Sequence, residues 1–180
     1  MNMNENDVVV WSKESFLTWS DFKAESNPAI FEDSHSVIKY QFTWIVNSDK
    51  IEDNIIFLIE NIQLSVDFHS LLSWVRTSQA NDNLLKHEQG HFDLAELVKR
   101  ENLEKLKNKF YEKQFPTRGQ NEEQRKQFAK EDSGKMIAEE IEKLHQLLFS
   151  LRQEYDDQTN FGQNYEKQSE YNLKFDKLRL

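Results

Sequence analysis

The sequence of 180 residues contains no cysteine, only four glycines and only two prolines. Without thiols there is no disulfide framework and no thiolate site, so any metal must be held by nitrogen and oxygen ligands. The scarcity of glycine and proline argues against a loop-rich all-β fold and favours long helices. A chain of this length can bury a sizeable core, and we predict a single domain over residues 1–180.

Basic residues are outnumbered, and long apolar runs are missing. The 23 Lys and Arg residues face 32 Asp and Glu residues, which gives a net charge of −9. Binding to nucleic-acid phosphates requires clustered basic side chains, so we expect no nucleic-acid partner. No run approaches the roughly 18 apolar residues of a membrane-spanning helix, so we expect no transmembrane segment. Residues 1–7 are polar and predict a loose N-terminal end.

Strand-like patterns come before helix-like patterns along the chain. Residues 37–46, 55–59 and 62–68 are rich in alternating or clustered apolar side chains and predict two or three strands, with a turn at 47–50. The short connections favour antiparallel pairing. Strands followed by helices without interleaving are typical of the α+β class. We therefore predict an α+β fold with a small antiparallel sheet within residues 36–68, followed by two long helices.

The two predicted helices occupy most of the second half. The first has Asn81 or Asp82 as its N-cap and runs to about Tyr111. The second covers roughly residues 122–154, with an apolar stripe at helical spacing. A polar C-terminal tail, residues 156–180, is expected to dock back through its last apolar side chains.

The first predicted helix contains a His-Glu-x-x-His motif, formed by His87, Glu88 and His91. Residues four apart lie on one face of a helix, so both imidazoles can reach one cation. Glu88 projects toward the same side, where it could act as a general base on a water molecule. We predict that His87 and His91 bind Zn2+ as a cofactor and that Glu88 is catalytic. The competing interpretation is an amphipathic helix whose histidines only pack at the edge of the core.

Gly90 within the motif and Asp93 just after it lead to two further expectations. A glycine inside a helix costs about 1 kcal/mol relative to alanine, so Gly90 predicts the close approach of a substrate or a strand. Asp93 lies two residues past His91 and projects from roughly the opposite side of the helix. We therefore do not expect Asp93 to be a metal ligand.

A catalytic zinc ion usually has three protein ligands, so a third ligand is needed. If the two long helices form an antiparallel hairpin folded near Thr117, residues of about 143–147 lie level with the two histidines. Glu140 and His145 flank the apolar stripe there. Helix register therefore makes Glu140 and His145 candidates for the third ligand.

Four motifs along the chain carry a family resemblance. They are Leu17–Phe22, Ser73–Val75, Leu84–Asp93 and a C-terminal motif, Tyr155-Asp156-x-x-Thr159 followed by Gln168 and Tyr171. Together they resemble a bacterial family of uncharacterised domains described as predicted, often secreted, zinc-dependent proteases. The resemblance spans nearly the whole chain, and the string His-Glu-Gln-Gly-His-Phe-Asp is its most specific part.

The resemblance implies a zincin-like domain with the metal on His87 and His91 and catalysis through Glu88. It makes Asp156 the motif-based third ligand, ahead of its neighbour Asp157, and we prefer it to the two candidates from helix register. The implied function is a zinc-dependent metallopeptidase that hydrolyses peptide bonds in a peptide or protein substrate. The alternative is a catalytically degenerate zincin-fold domain that serves in binding or scaffolding.

The C-terminal motif departs from the family pattern at one important position. The family has a histidine two residues after the threonine of the motif, where this chain has Phe161. If that histidine binds the metal or stabilises the transition state, the site of this protein is impaired. A milder departure is Tyr171 at a position where the family typically has tryptophan. The family is often secreted or periplasmic, although residues 1–7 lack the apolar core of a signal peptide.

Overall fold

Long strands precede long helices in this protein, whose computed structural model describes residues 7–180. Residues 1–6, most of the predicted loose end, lie outside the described part of the chain. The described elements follow one another in this order: β1 (Val8–Val10), β2 (Ser34–His35), β3 (Ile38–Ile51), β4 (Asn54–His69), β5 (Trp74–Val75), α1 (Asp82–Asn108), β6 (Phe115–Pro116), α2 (Glu122–Thr159) and α3 (Tyr165–Asp176).

Strand β4 is the centre of the main sheet. It pairs with β3 on one side along almost its whole length, and with β1 and β6 on the other side near its two ends. Strands β2 and β5 form a separate two-stranded sheet. Every pairing among the described strands is antiparallel, so the predicted α+β class with a small antiparallel sheet is confirmed.

The turn predicted at 47–50 is wrong, because β3 continues through these residues to Ile51. Their backbone pairs with residues 55–58 of β4, and the chain reverses at Glu52 and Asp53, with Glu52 at a φ of +53°. This end of the hairpin is largely exposed, so polar side chains can extend the strand without being desolvated.

A bulge joins the two apolar runs of residues 55–59 and 62–68 into one strand. The register of β3 and β4 shifts between Thr43 and Ile45, opposite Asn61, whose φ is +50°. A β-bulge inserts one residue and changes which side chains face the core. The buried apolar residues are accordingly odd-numbered before the bulge and even-numbered after it: Phe57, Ile59, Ile62, Val66 and Phe68.

Helix α1 begins as predicted and ends slightly early. The Asn81 side chain accepts a hydrogen bond from the Leu84 N–H at 2.9 Å, so Asn81 is the N-cap. Helix α2 begins at Glu122 and continues to Thr159, five residues beyond the predicted end. The left-handed conformation of Asn160, with a φ of +47°, then ends α2.

The C-terminal segment is a third helix rather than a polar tail. Asn164 caps α3 by accepting a hydrogen bond from the Lys167 N–H. Gln168, Phe175 and Leu178 are buried against the rest of the protein. The prediction of two long helices was therefore incomplete, because a narrow apolar stripe among many polar residues suffices to dock a short helix. The docking of the last apolar side chains is confirmed.

The helices cover one face of the main sheet. Helices α1 and α2 contact each other and both contact β4, and α3 contacts α1 and α2. The Tyr40 hydroxyl on β3 donates to the Ala95 carbonyl on α1 at 2.7 Å. The Trp44 indole on the same strand donates to Ser133 on α2. Within residues 7–180, no helix is long and apolar enough to cross a membrane, in agreement with the expectation from sequence.

Candidate metal centre

Helix α1 places His87, Glu88 and His91 in the interior. All three side chains are buried, and only 1% of His87 is exposed. Their ligand atoms lie within 4.8 Å of one another, close enough to hold one metal ion. Because imidazole and carboxylate groups are costly to bury without partners, this cluster needs either a hydrogen-bond network or a cation.

Helix α2 brings a carboxylate to both histidines. Asp156 Oδ1 lies 2.9 Å from His87 Nε2 and 2.6 Å from His91 Nε2, so the two imidazoles converge on one oxygen. Burial acts to raise the pKa of Asp156, but the two histidines outweigh burial and lower the pKa well below its usual range. The structure thus brings Asp156, the motif-based candidate for the third ligand, to the predicted pair, whereas Asp157 is exposed.

The two candidates from helix register lie elsewhere. Glu140 pairs with Lys109 and Lys143 at 2.6 and 3.0 Å. His145 accepts a hydrogen bond from the Tyr40 N–H at 3.0 Å. Both were therefore misplaced, although α1 and α2 are antiparallel as assumed.

The physical reason is the position at which the helix pair turns back. His91 contacts Asp156, and Lys109 contacts Glu140. The midpoint in sequence of each contacting pair lies in the first turn of α2 rather than at Thr117. The start of α2 extends past the end of α1, where Ser133 meets Trp44 of β3. Residues farther along α2 are consequently level with the motif.

A chain of hydrogen bonds orients His87. The Tyr155 hydroxyl donates to the His87 carbonyl at 2.9 Å, so its oxygen accepts from the Gln168 side-chain amide at 2.8 Å. This arrangement leaves the Gln168 Oε1 atom 2.9 Å from His87 Nδ1, which must then carry a proton. A proton on Nδ1 directs the Nε2 atom toward Asp156, as in histidines that bind metals through Nε2.

The pKa of His87 is raised. Burial acts to lower the pKa of this imidazole, but the Asp156 hydrogen bond, the Glu88 charge and the Gln168 hydrogen bond outweigh burial. The surroundings of His87 therefore favour positive charge at this position, whether it comes from a proton or from a cation.

The environment of His91 is different. Arg152 Nε donates to His91 Nδ1 at 3.0 Å, and its Nη2 atom donates to the carbonyl and hydroxyl oxygens of Ser36. Since a guanidinium has no acceptor, neutral His91 carries its proton on Nε2 and donates it to Asp156. Burial and the Arg152 cation lower the pKa of His91. A metal on Nε2 would have to replace this proton.

Glu88 has one satisfied oxygen and one free oxygen. Its Oε1 atom accepts from the Ser34 hydroxyl at 2.7 Å, and its buried Oε2 atom has no hydrogen-bond partner among the described residues. Burial acts to raise the pKa of Glu88, but the imidazoles of His91 and His87 and the nearby serine hydroxyls outweigh burial and lower the pKa. An ionised carboxylate with an unpartnered oxygen beside two imidazoles fits a cation site. The donor set could hold a divalent metal, and the choice of zinc remains a prediction.

A cavity of about 1030 Å³ opens over this cluster. Its wall includes His87, Glu88, His91 and Asp156, together with Arg152. Ligand pockets in proteins usually have volumes of roughly 300–1000 Å³. The cluster therefore lies in the wall of a space large enough for a ligand.

The loop after α2 places Phe161 beside the site. Its ring centroid lies 6.5 Å from that of His87, and it lines the cavity. The next residue, Gly162, has a φ of +89°, and a Cβ atom there would lie 2.9 Å from His87 Cβ. Glycine is thus required both by the backbone conformation and by the contact. The position at which the motif resemblance breaks down therefore lies at the site itself, and a phenylalanine ring can neither ligate a metal nor donate a hydrogen bond.

Gly90 permits a close approach, but neither a substrate nor a strand makes it. A Cβ atom at this position would collide with the Tyr155 hydroxyl of α2 and would approach Phe175 of α3 within 3.1 Å. The Tyr155 ring stacks on His87, with centroids 4.5 Å apart. Gly90 therefore allows α2 to approach closely enough for Asp156 to reach both histidines.

Several contributors to the site were not identified from the sequence. Ser34 and Ser36, which lie at and just after β2, contact Glu88 and Arg152 only because the chain folds back, and nothing local indicated this. Arg152 could have been predicted at the site from the sequence, since it lies one helical turn before Asp156. Asp93 accepts from Trp11 and from the C-terminal Arg179, which agrees with the expectation that it is not a ligand.

Comparison of the chain with protein-family models, with curated proteins and with solved structures finds no match in any of the three. The family resemblance and the zincin-like fold therefore remain predictions from the motifs.

Proposed function

We propose that this protein is a zinc-dependent peptidase whose site consists of His87, His91, Asp156 and Glu88. The observation that carries the proposal is the convergence of both histidine Nε2 atoms on one Asp156 oxygen, next to the free oxygen of Glu88. All four side chains lie in the wall of a large cavity. Two imidazoles and a carboxylate are a ligand set used by catalytic zinc sites.

His87, His91 and Asp156 would hold the metal, which would supply Lewis-acid chemistry when bound. Glu88 accepts the proton of the attacking water at Oε2 and delivers it to the leaving amine, while Ser34 holds the other carboxylate oxygen in place. The lowered pKa of Glu88, set by the imidazoles and serine hydroxyls against the effect of burial, keeps it ready to accept that proton.

Arg152 supplies a cationic donor in the cavity wall. Its Nε and Nη2 atoms are engaged with His91 and Ser36, whereas its Nη1 atom makes no hydrogen bond to a described residue. A guanidinium N–H at this position can stabilise negative charge on the carbonyl oxygen of a substrate. Arg152 can thus fill the role that Phe161 cannot.

The second candidate is a binding or scaffolding domain of the same fold without turnover. Two observations favour it. Phe161 replaces the family histidine beside His87, and Arg152 holds His91 in the tautomer whose Nε2 atom carries a proton. Each would weaken metal binding or catalysis and leave the cavity intact.

Elemental analysis tests the metal site directly. The purified protein should contain about one divalent metal ion per chain, and this ion should be lost after treatment with a chelator. His87→Ala should remove the ion. His145→Ala is the matched control, because His145 lies on α2 away from the cluster and should leave the metal content unchanged. Equal metal content in the two variants would refute the site. A metal-containing protein without hydrolysis of unfolded polypeptides would favour the second candidate.

A further inference from the structure

Exposed aromatic side chains are concentrated around the mouth of the cavity. Five aromatic residues of the described chain are exposed, and four of them line this cavity. Single exposed apolar residues are common on protein surfaces, but a group of them beside a cavity indicates a binding surface. We name these four residues the aromatic rim: Phe31, Phe149, Phe161 and Tyr165.

The rim residues belong to separate elements, and each side chain is at least 44% exposed. Phe31, in the loop before β2, is fully exposed, and Phe149 on α2 is 64% exposed. Tyr165 begins α3 and is 65% exposed. Aromatic rings present a large apolar area with few rotatable bonds, which makes them frequent anchors in interfaces. The fold leaves this area available to a ligand.

The spacing along α2 matches an extended polypeptide. Phe149, Arg152 and Asp156 all line the cavity, at the helical spacing that keeps them on one face. Phe149 and Asp156 are separated by about 10 Å along the helix axis, at about 1.5 Å per residue. An extended chain covers this distance in about three residues, at roughly 3.3 Å each. A peptide bond at the metal centre would therefore place a side chain about three positions away against Phe149.

The charge of the cavity selects among peptides. Its wall contains four carboxylates, those of Glu32, Asp33, Glu88 and Asp156, against the single guanidinium of Arg152. A divalent metal at the centre would leave the cavity acidic. Acidic peptides are repelled by such a surface, and basic or neutral ones are attracted.

We propose that the aromatic rim binds extended polypeptide segments that carry large apolar side chains and neutral or basic flanking residues. Such segments are exposed in unfolded proteins and are buried in folded ones. The proposal rests on the proposed peptidase function, and it names the substrate class: apolar, non-acidic stretches of unfolded polypeptide.

Peptide binding in the absence of turnover tests the rim. The probe is a fluorescent, unstructured peptide of phenylalanine, leucine and lysine, titrated with the chelator-treated wild-type protein, which keeps all four carboxylates of the cavity, and followed by fluorescence anisotropy. Phe31→Ser combined with Phe149→Ser should weaken binding by about tenfold or more, because two anchors are removed. Leu173→Ser is the matched control, since Leu173 is 66% exposed on α3 outside the cavity. A peptide of the same sequence with glutamate in place of lysine should bind at least about tenfold more weakly.

Three results would overturn the proposal. They are equal binding by the rim and control variants, equal or tighter binding of the acidic peptide, and rim substitutions that change only self-association in size-exclusion chromatography. Circular dichroism checks that each variant is folded. The rim variants are also titrated in the metal-loaded Glu88→Gln protein, in which turnover should be blocked. Rim-dependent binding in a protein whose wild type hydrolyses nothing would support the rim and reject the peptidase function, so the two failures are distinguishable.

Discussion

The two ends of the α1–α2 pair use the same kinds of charge in opposite surroundings. At one end, Asp156 of α2 lies between the buried side chains of His87 and His91, beneath a large cavity. At the other end, Glu140 of α2 pairs with Lys109 and Lys143 at the surface. Hydrogen bonds from these lysines lower the pKa of Glu140, whereas for Asp156 the histidines must first outweigh burial to lower its pKa.

The difference shows where chemistry is possible along one helix pair. A surface ion pair contributes about 0–1 kcal/mol, and water can replace either partner. The side chains of Asp156 and Glu140 are about equally exposed, at 19% and 18%, but the imidazole partners of Asp156 are buried. Buried polar groups have no such substitute and must keep a hydrogen-bond partner or a metal. Of the two ends, only the one with His87 and His91 has buried partners that can exchange a proton for a metal ion, beside a cavity.

The largest effect we expect is on turnover. Glu88→Gln keeps an oxygen that can accept from Ser34 but cannot take a proton from water, so hydrolysis of an unfolded polypeptide by the zinc-loaded protein should fall by about 10²–10⁴-fold. The metal content should stay the same. Glu101→Gln, an exposed glutamate on the same helix, should retain full activity. Equal rates for Glu88→Gln and wild type would exclude Glu88 as the base.

The next effect separates the two ends of the helix pair. Asp156→Asn should weaken metal binding by at least about tenfold, because a charged ligand is lost from between the two histidines. Glu140→Gln should leave the metal affinity unchanged and cost about 0–1 kcal/mol of unfolding free energy. Competition with a chromophoric chelator gives the affinities, and urea unfolding gives the stabilities. Similar metal affinities in the two variants would show that Asp156 is no ligand.

The smallest effect concerns the packing that supports each end. Gly90→Ala forces Tyr155 away from α1 and should lower the free energy of unfolding by about 1–3 kcal/mol. A Cβ atom at Gly134 would lie 3.0 Å from the Trp44 ring. There the helix-propensity gain of up to about 1 kcal/mol offsets the crowding, so Gly134→Ala should change stability by less than about 1 kcal/mol. Equal losses of unfolding free energy in Gly90→Ala and Gly134→Ala would refute the claim that the helices approach more closely at Gly90.

Local patterns were sufficient for the parts of the structure that depend on nearby residues. The Asn81 cap, the shared face of His87 and His91, and the order of strands before helices follow from hydrogen bonding and side-chain periodicity within a few residues. The bulge at Asn61 escaped prediction, since two out-of-phase apolar runs resemble two strands as well as one bulged strand.

Segments with few apolar residues were harder to interpret. Helix α3 has mostly polar side chains, and its place in the core depends on the Gln168 amide and a few apolar contacts with α1 and α2. Composition suggested a tail because it records how many apolar residues a segment has, not whether a matching surface exists elsewhere.

The spacing of the motif was enough to predict that its two histidines and its glutamate form one cluster, because four residues make about one helical turn in any fold. Which carboxylate joins them depends on contacts between distant parts of the chain. Helix register could not place Glu140 or His145, because the overhang of α2 depends on its packing against β3, and that packing brings Asp156 to the site instead. The contacts of Arg152 with Ser36 and His91 were decided in the same way, since they join residues far apart in the chain.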